Sequence, residues 1–350
     1  MPLSLHATVL ILPVMAALGL WLGGIWGWVL PAFIFVCIPA AELLWSGSKD
    51  NVDAREEAAR RDTRAFDWLL YALVPIQVGL VLALVLRAPQ LAGWDLAGAT
   101  VSVGLLCGGL GINLGHELGH RQDPTDRFLS KVMLLTTLYL HFFIEHNRGH
   151  HQRVATPDDP ATSRLGEGVY GFWLRSISGG YRSAWGLENG RLQRKGRRRL
   201  TWDNEMVRYT VIQGVAMAAV GLVLGPVALG CWLVASLIGI LLLETVNYLE
   251  HYGLQRDVLE SGRHERVRPA HSWNSNHPLG RVLLFELTRH SDHHAHPARP
   301  YPLLRHFEAA PTLPTGYPGM ILLALVPPAF KRVMGRQLDR EAARIEGLAA

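Results

Sequence analysis

Six apolar runs, each about as long as a helix needs to cross a bilayer, constrain this chain more than any other feature. They cover about residues 7–23, 25–45, 67–87, 94–114, 208–226 and 227–247 of 350. Roughly 20 predominantly apolar residues span the hydrocarbon layer. The expectation is therefore an all-α polytopic membrane protein, with 1–350 forming one integral membrane domain. The first two runs are parted only by Gly23–Gly24, and the last two meet at Gly225–Pro226, where a tight reversal fits. No Lys or Arg precedes Lys49, so the first run lacks the basic flank of a secretory signal and reads as a retained helix.

Charge sets the expected orientation. With the N-terminus inside, the inside segments are 46–66, 115–207 and 248–350, and they hold nearly all the Lys and Arg, including RLQRKGRRRL. Outside loops keep little beyond Arg87. By the positive-inside rule both termini are expected on the cytoplasmic face of a bacterial-type inner membrane. Cys37, Cys107 and Cys231 all lie in apolar runs and no CxxC pair occurs. The chain thus carries neither a disulfide framework nor an iron–sulfur centre of its own. Any electrons for redox chemistry must come from a separate protein.

Between the runs, 46–66 reads as a solvated, charged connector with a short amphipathic piece. Residues 128–146 are apolar but interrupted by Lys131 and His141, which fits a buried or shallow helix and not a crossing. The last hundred residues are proline-rich, and their apolar stretch MILLALVPPAF is too short and too proline-broken for a seventh span.

Of sixteen histidines, nine form four clusters: His116 and His120 in HELGH; His146, His150 and His151 in EHNRGHH; His251 in EHYG; and His290, His293 and His294 in RHSDHH. The topology brings all four to the cytoplasmic side. Imidazole is the commonest protein metal ligand, and one zinc takes three or four ligands, so nine grouped imidazoles argue for two ions. In HELGH the i, i+4 spacing puts both rings on one helix face. Read the same way, His146 and His150 share a face with His151 turned about 100° away. His290 and His294 share another, with His293 displaced. Each cluster also carries an acid, Glu117, Glu145, Glu250 or Asp292, expected to accept the second N–H of a metal-bound imidazole. His271 and His277 are further candidates for that supporting role.

Donor type alone does not choose among iron, zinc, copper and nickel. HELGH by itself also fits the HExxH of zinc peptidases, with Glu117 as base. That reading leaves seven clustered histidines unused, and TPDDP (156–160) is a poor match to the distant Asp motif of intramembrane proteases. A metal transporter would place its ligands near mid-membrane, whereas these gather at the span ends.

HELGH, EHNRGHH, NYLEHYGL (247–254) and LTRHSDHHA (287–295), with HSWNSN (271–276) before the last, resemble the signature boxes of the membrane alkane 1-monooxygenases. Arg121 and Thr288 depart from that pattern, at positions that are not ligands. The resemblance implies that His116, His120, His146, His150, His151, His251, His290, His293 and His294 hold two non-haem irons. It further implies O2-dependent hydroxylation of the terminal methyl of medium-chain n-alkanes. Electrons would come from rubredoxin and its NADH-dependent reductase, with the lipid bilayer supplying substrate and no nucleic acid involved. An aryl-methyl hydroxylase of the xylene type is the nearest alternative. A fatty-acid desaturase comes next, disfavoured by NYLEHYGL.

Overall fold

Long apolar sequences form helices here wherever glycine or proline does not interrupt them. The computed structural model describes residues 1–45 and 47–349. Among the described residues six helices are long and apolar enough to cross a membrane, which makes this a multi-pass membrane protein. They begin with α1 (Leu3–Leu22) and α2 (Gly24–Leu44). After the short α3 (Ala54–Asp62) come α4 (Ala65–Gln90) and α5 (Gly93–Gly119). Next lie α6 (Pro124–Thr136), α7 (Phe142–Glu145) and α8 (Val169–Arg194). The last two spans are α9 (Glu205–Leu224) and α10 (Pro226–His251). Four helices follow: α11 (Pro278–Leu283), α12 (His290–Ala295), α13 (Tyr317–Ala324) and α14 (Pro327–Ala349).

All six expected runs become spans, and most ends move outward. α5 extends to Gly119 and carries HELG within it, while α10 extends to His251. The reversal between α9 and α10 occurs at Gly225, whose φ of 88° suits a residue without a Cβ, and Pro226 then opens α10. α5 and α10 touch backbone to backbone. A Cβ on Gly239 would lie 2.7 Å from Cys107 Cβ, and one on Gly108 would lie 2.9 Å from the Gly239 carbonyl oxygen. Small residues allow such approach where lipid gives no hydrophobic drive between helices. The contact fixes HELGH relative to EHYG.

Segment 128–146 is two pieces, not one helix. α6 stops at Thr136, Leu138 takes φ 53°, and the Thr137 and Tyr139 N–H groups both donate to the Leu134 carbonyl. Tyr139 then donates its hydroxyl to Glu244 on α10 (2.9 Å). Within the segment 115–207, the Gly- and Ser-containing stretch 169–194 is the 26-residue helix α8, tied to α10 by Trp173 Nε1 donating to Thr245 (3.1 Å).

The connector 46–66 is less solvated than its charge suggests. The buried Arg289 donates to the Asp50 carbonyl (2.7 Å) and to Asn51 Oδ1 (3.1 Å), next to the ligand-type residue His290. α14 buries Phe330 and Met334, and it is not among the six membrane-length helices.

Candidate metal centre

The nine clustered histidines converge into two groups. His116, His120, His146, His151 and His293 form one, and His150, His251, His290 and His294 form the other. Within each group the facing nitrogens all lie within 4.8 Å of one another. In the first, Nε2–Nε2 distances are 2.9 Å for His116–His293, 3.1 Å for His120–His146, 3.0 Å for His146–His151 and 3.1 Å for His151–His293. In the second they are 3.2 Å for His150–His294, 2.8 Å for His290–His294 and 3.3 Å for His251–His290. Rings of the two groups approach closely, with His151 and His294 centroids 4.5 Å apart.

One expectation changes. His146 pairs with His151, five residues on, and not with His150. The turn His146–His150 is a π-helix, with i→i+5 hydrogen bonding, so residues five apart come onto one face. His150 is thereby sent to the second group. α12 behaves as its spacing predicts, with His290 and His294 in one group and His293 in the other.

These contacts suit cations better than hydrogen bonds. A neutral imidazole nitrogen either donates one N–H or accepts with one lone pair. Yet the Nε2 atoms of His146, His151, His293, His290 and His294 each face two other imidazole nitrogens. Two nitrogens ~2.1 Å from one ion and at right angles to each other sit ~3.0 Å apart, close to the observed spacings. Burial and neighbouring imidazoles favour the neutral, ligating form as well. They bring His120 down to about 3 and push His146, His151, His290, His293 and His294 well below the ordinary imidazole value.

The acids sit differently from the simple expectation. Glu250 accepts the Tyr317 hydroxyl at Oε1 (2.7 Å), and its Oε2 lies 3.1 Å from His290 Nε2. That nitrogen faces the group, so Glu250 stands on the ion-facing side and not behind the ring. Glu117 accepts from Arg121 (3.3 Å) and the Tyr301 N–H (3.4 Å), and Glu145 accepts from Arg153 (2.6 Å). Asp292 accepts from His296 (2.7 Å), Arg299 (2.6 Å) and the Arg305 N–H (2.8 Å). These three anchor the histidine-bearing segments through arginine and backbone. His271 lies 3.2 Å from Glu265 and accepts the Arg268 N–H, and neither it nor His277 joins a group.

Two supporting residues were not foreseen. Asp159, in TPDDP, takes the place expected of the cluster acids, with Oδ2 2.8 Å from His150 Nδ1. Burial disfavours its charge, but His150 and the Thr162 hydroxyl hold its carboxyl below the ordinary value. Asn274, in HSWNSN, donates to Ser291 Oγ and accepts the Ser291 N–H, both at 2.8 Å, which fixes the start of α12. An Asp adjoining a Pro in a polar stretch and an Asn between Trp273 and Ser275 carry no periodic signal of such roles.

The groups differ in what they face. Among the nine, only His120 and His151 are half-exposed, beside a surface depression that includes Arg121, Arg127 and Arg148. The four-imidazole group is fully buried. On its far side Glu250 leads to Tyr317, which lines an apolar cavity together with Ile38, Leu106, Asn113, Leu243 and Leu287.

Residues 92–323 match the family described as fatty acid desaturase. The chain is 40% identical over 329 residues to an alkane 1-monooxygenase of Pseudomonas putida, covering 92% of this chain and 82% of that one. It is 45% identical over 273 residues to alkane 1-monooxygenase 1 of Alcanivorax borkumensis, covering 77% and 67% respectively. The chain belongs to the alkane 1-monooxygenase family. A more distant relative is the xylene/toluene monooxygenase hydroxylase component of Pseudomonas putida, 30% identical over 345 residues, with 95% and 88% covered. The two imidazole groups thus sit in a chain that matches the fatty acid desaturase family and whose relatives are named monooxygenases.

Proposed function

We propose that this protein is a non-haem diiron monooxygenase that converts medium-chain n-alkanes to 1-alkanols. The observation that carries the reading is the pair of adjacent imidazole groups set against an apolar cavity. On this reading His116, His120, His146, His151 and His293 hold one iron, and His150, His251, His290 and His294 hold the other. Glu250 is available to the second as an oxygen donor. Bound there, the irons supply the reductive activation of O2 that an unactivated methyl group requires. The overall balance is alkane, O2, two electrons and two protons giving alkanol and water.

The chain's own residues confine that chemistry. The apolar cavity excludes water and presents the end of a hydrocarbon chain towards Tyr317 and Asn113. Asp159 orients His150, and Asn274 orients α12, which carries ligands of both groups. Rubredoxin, reduced by an NADH-dependent reductase, delivers electrons at the depression where His120 and His151 reach the surface. Arg127 and Lys131, both stacked on Phe143, give that rim a positive edge suited to an acidic carrier. The Lys and Arg asymmetry supports the cytoplasmic face of the inner membrane for this site, within one catalytic domain spanning 1–350.

The test supplies purified protein with rubredoxin, reductase, NADH, O2 and a mixture of n-alkanes, fatty acids and xylenes. Octan-1-ol with about two irons per chain is the expected result, whereas activity with a single zinc would overturn the reading. The xylene/toluene relative favours a second reading, hydroxylation of an aryl methyl group. Methylbenzyl alcohol formed to the exclusion of alkanols would select it.

A further inference from the structure

The cavity holds one position where the chain leaves room that its own packing does not demand. Along α5, Leu105, Gly109 and Asn113 recur every four residues and all line the cavity. His116 follows three residues later, so this face leads towards the imidazole groups. The neighbouring Gly108 is a packing glycine, since a Cβ there would lie 2.9 Å from both the Gly239 carbonyl oxygen and Leu242 Cδ2. Gly109 is different. A Cβ built on it meets nothing within 4 Å, and its φ is not in the left-handed region. A helical glycine costs roughly 0.5–1 kcal/mol relative to alanine. At Gly109 neither helix packing nor backbone conformation explains that cost. Open cavity space does.

The lining also says what fills the space. Among the described residues that line it, the only polar side chains are Asn113 and Tyr317, at the imidazole end, and none is charged. Asn113 Nδ2 is buried without a partner. Such a cavity takes an uncharged linear hydrocarbon with its reacting end at Asn113 and its tail running past Gly109. His116 follows Gly109 by seven residues, the first few in the π-helical stretch Cys107–Ile112, so the two are at most ~10 Å apart along the helix. That is roughly eight carbons of an extended chain at ~1.5 Å per bond with zigzag projection.

We propose that Gly109 sets the upper chain length of the substrate, its missing side chain letting the tail of longer alkanes pass. The inference rests on the alkane-oxidising reading and deepens it. Gly109→Phe and Gly109→Leu are predicted to close the cavity beyond about eight carbons. Gly109→Ala, which fits without a clash, narrows it less.

The experiment has two readouts. In the first, wild type and variants oxidise an equimolar mixture of hexane, octane, dodecane and hexadecane, with iron per chain measured alongside. The expected result for Gly109→Phe is at least a roughly tenfold fall in the hexadecane-to-hexane product ratio at unchanged iron content. In the second, metal-free protein in amphipol is dialysed against radiolabelled octane and hexadecane, with empty amphipol subtracted. Gly109→Phe should keep octane binding and lose hexadecane binding. An unchanged product ratio and unchanged binding in an iron-loaded Gly109→Phe protein overturn the proposal. Should that variant fail to accumulate, Gly109→Ala must show a smaller shift in the same direction, and an unaltered profile there overturns it equally. Wild type that oxidises no alkane, with the Gly109-dependent loss of hexadecane binding intact, sinks the functional reading and leaves the length limit standing.

Discussion

Replacing Asp159 by Ala separates the two imidazole groups experimentally. Asp159 Oδ2 lies 2.8 Å from His150 Nδ1 and accepts the Thr162 hydroxyl at 2.6 Å, all three residues being buried. His150 contributes only to the four-imidazole group. Truncation removes a charge-assisted hydrogen bond worth about 1.5–3 kcal/mol and leaves a buried N–H without an acceptor. It also frees the imidazole to rotate or change tautomer. Loss of such a carboxylate behind a metal-bound histidine typically costs about 10–100-fold in metal affinity, or about 1.4–2.7 kcal/mol. The five-imidazole group has no contact with Asp159 and should keep its ion. The assay is iron per chain after dialysis against graded chelator. On the proposed diiron reading, wild type should release its iron in one range of chelator, and Asp159→Ala should release one of two irons at roughly 10–100-fold less. Asp159→Asn, which keeps an uncharged acceptor, should fall between. Release of both irons together, or a curve identical to wild type, would refute the division of ligands and the role of Asp159.

Asn274→Ala removes two 2.8 Å bonds that hold Ser291 at the head of α12. It should cost about 2–4 kcal/mol of stability and lower iron at both groups, checked by thermal melting and metal analysis. Gly239→Leu forces a side chain against Cys107, where even a Cβ would sit 2.7 Å away. Overpacking of this kind costs about 1–3 kcal/mol, and the melting midpoint should fall even in metal-free protein. Glu286 is buried, which disfavours its charge, but Arg281 at 2.6 Å holds its carboxyl below the ordinary value. Its stabilising contribution is therefore full above the ordinary carboxylate pKa and lost as pH falls through the depressed folded value. Metal-free wild type should lose more thermal stability on acidification than Glu286→Gln, and equal slopes would contradict that assignment.

Much of this architecture was legible because the governing signals are periodic and strong. Six membrane-length runs became six spans, and the glycine break at Gly225 fell where Gly and Pro adjoin. The nine histidines stood out by their spacing and by the motifs around them, and the structure brings them together in two groups. What escaped were interactions without period: Asp159 behind His150, Asn274 at the head of α12, and Asp50 and Asn51 on Arg289. Each joins a loop to another segment, from nine residues away for Asp159 and His150 to more than two hundred for Asn51 and Arg289, with no helical or strand period linking the two. The acids beside the histidines misled for the opposite reason. Adjacency in a helix turns a side chain about 100° from its neighbour, so Glu117 and Glu145 point to Arg121 and Arg153.

The division of EHNRGHH between the groups shows how much one irregular turn decides. In a regular α-helix His146 and His150 would face the same ion and His151 another, giving the first group His150 in place of His151. The first group would then lose one of its two half-exposed rings, and the fully buried group would gain a ring near the surface. The π-turn at His146–His150 reverses this. It keeps the four-imidazole group sealed beside Glu250, Tyr317 and the apolar cavity, and leaves both half-exposed rings, His120 and His151, in one group. On the proposed reading, electrons and hydrocarbon then approach from opposite sides. An alteration that restored regular α-helical bonding there, such as deletion of Gly149, should change which ions are held before it changes the spans. Metal stoichiometry falling in a protein that still inserts and melts cooperatively is the outcome this predicts. Unchanged stoichiometry would show that the turn does not govern the partition.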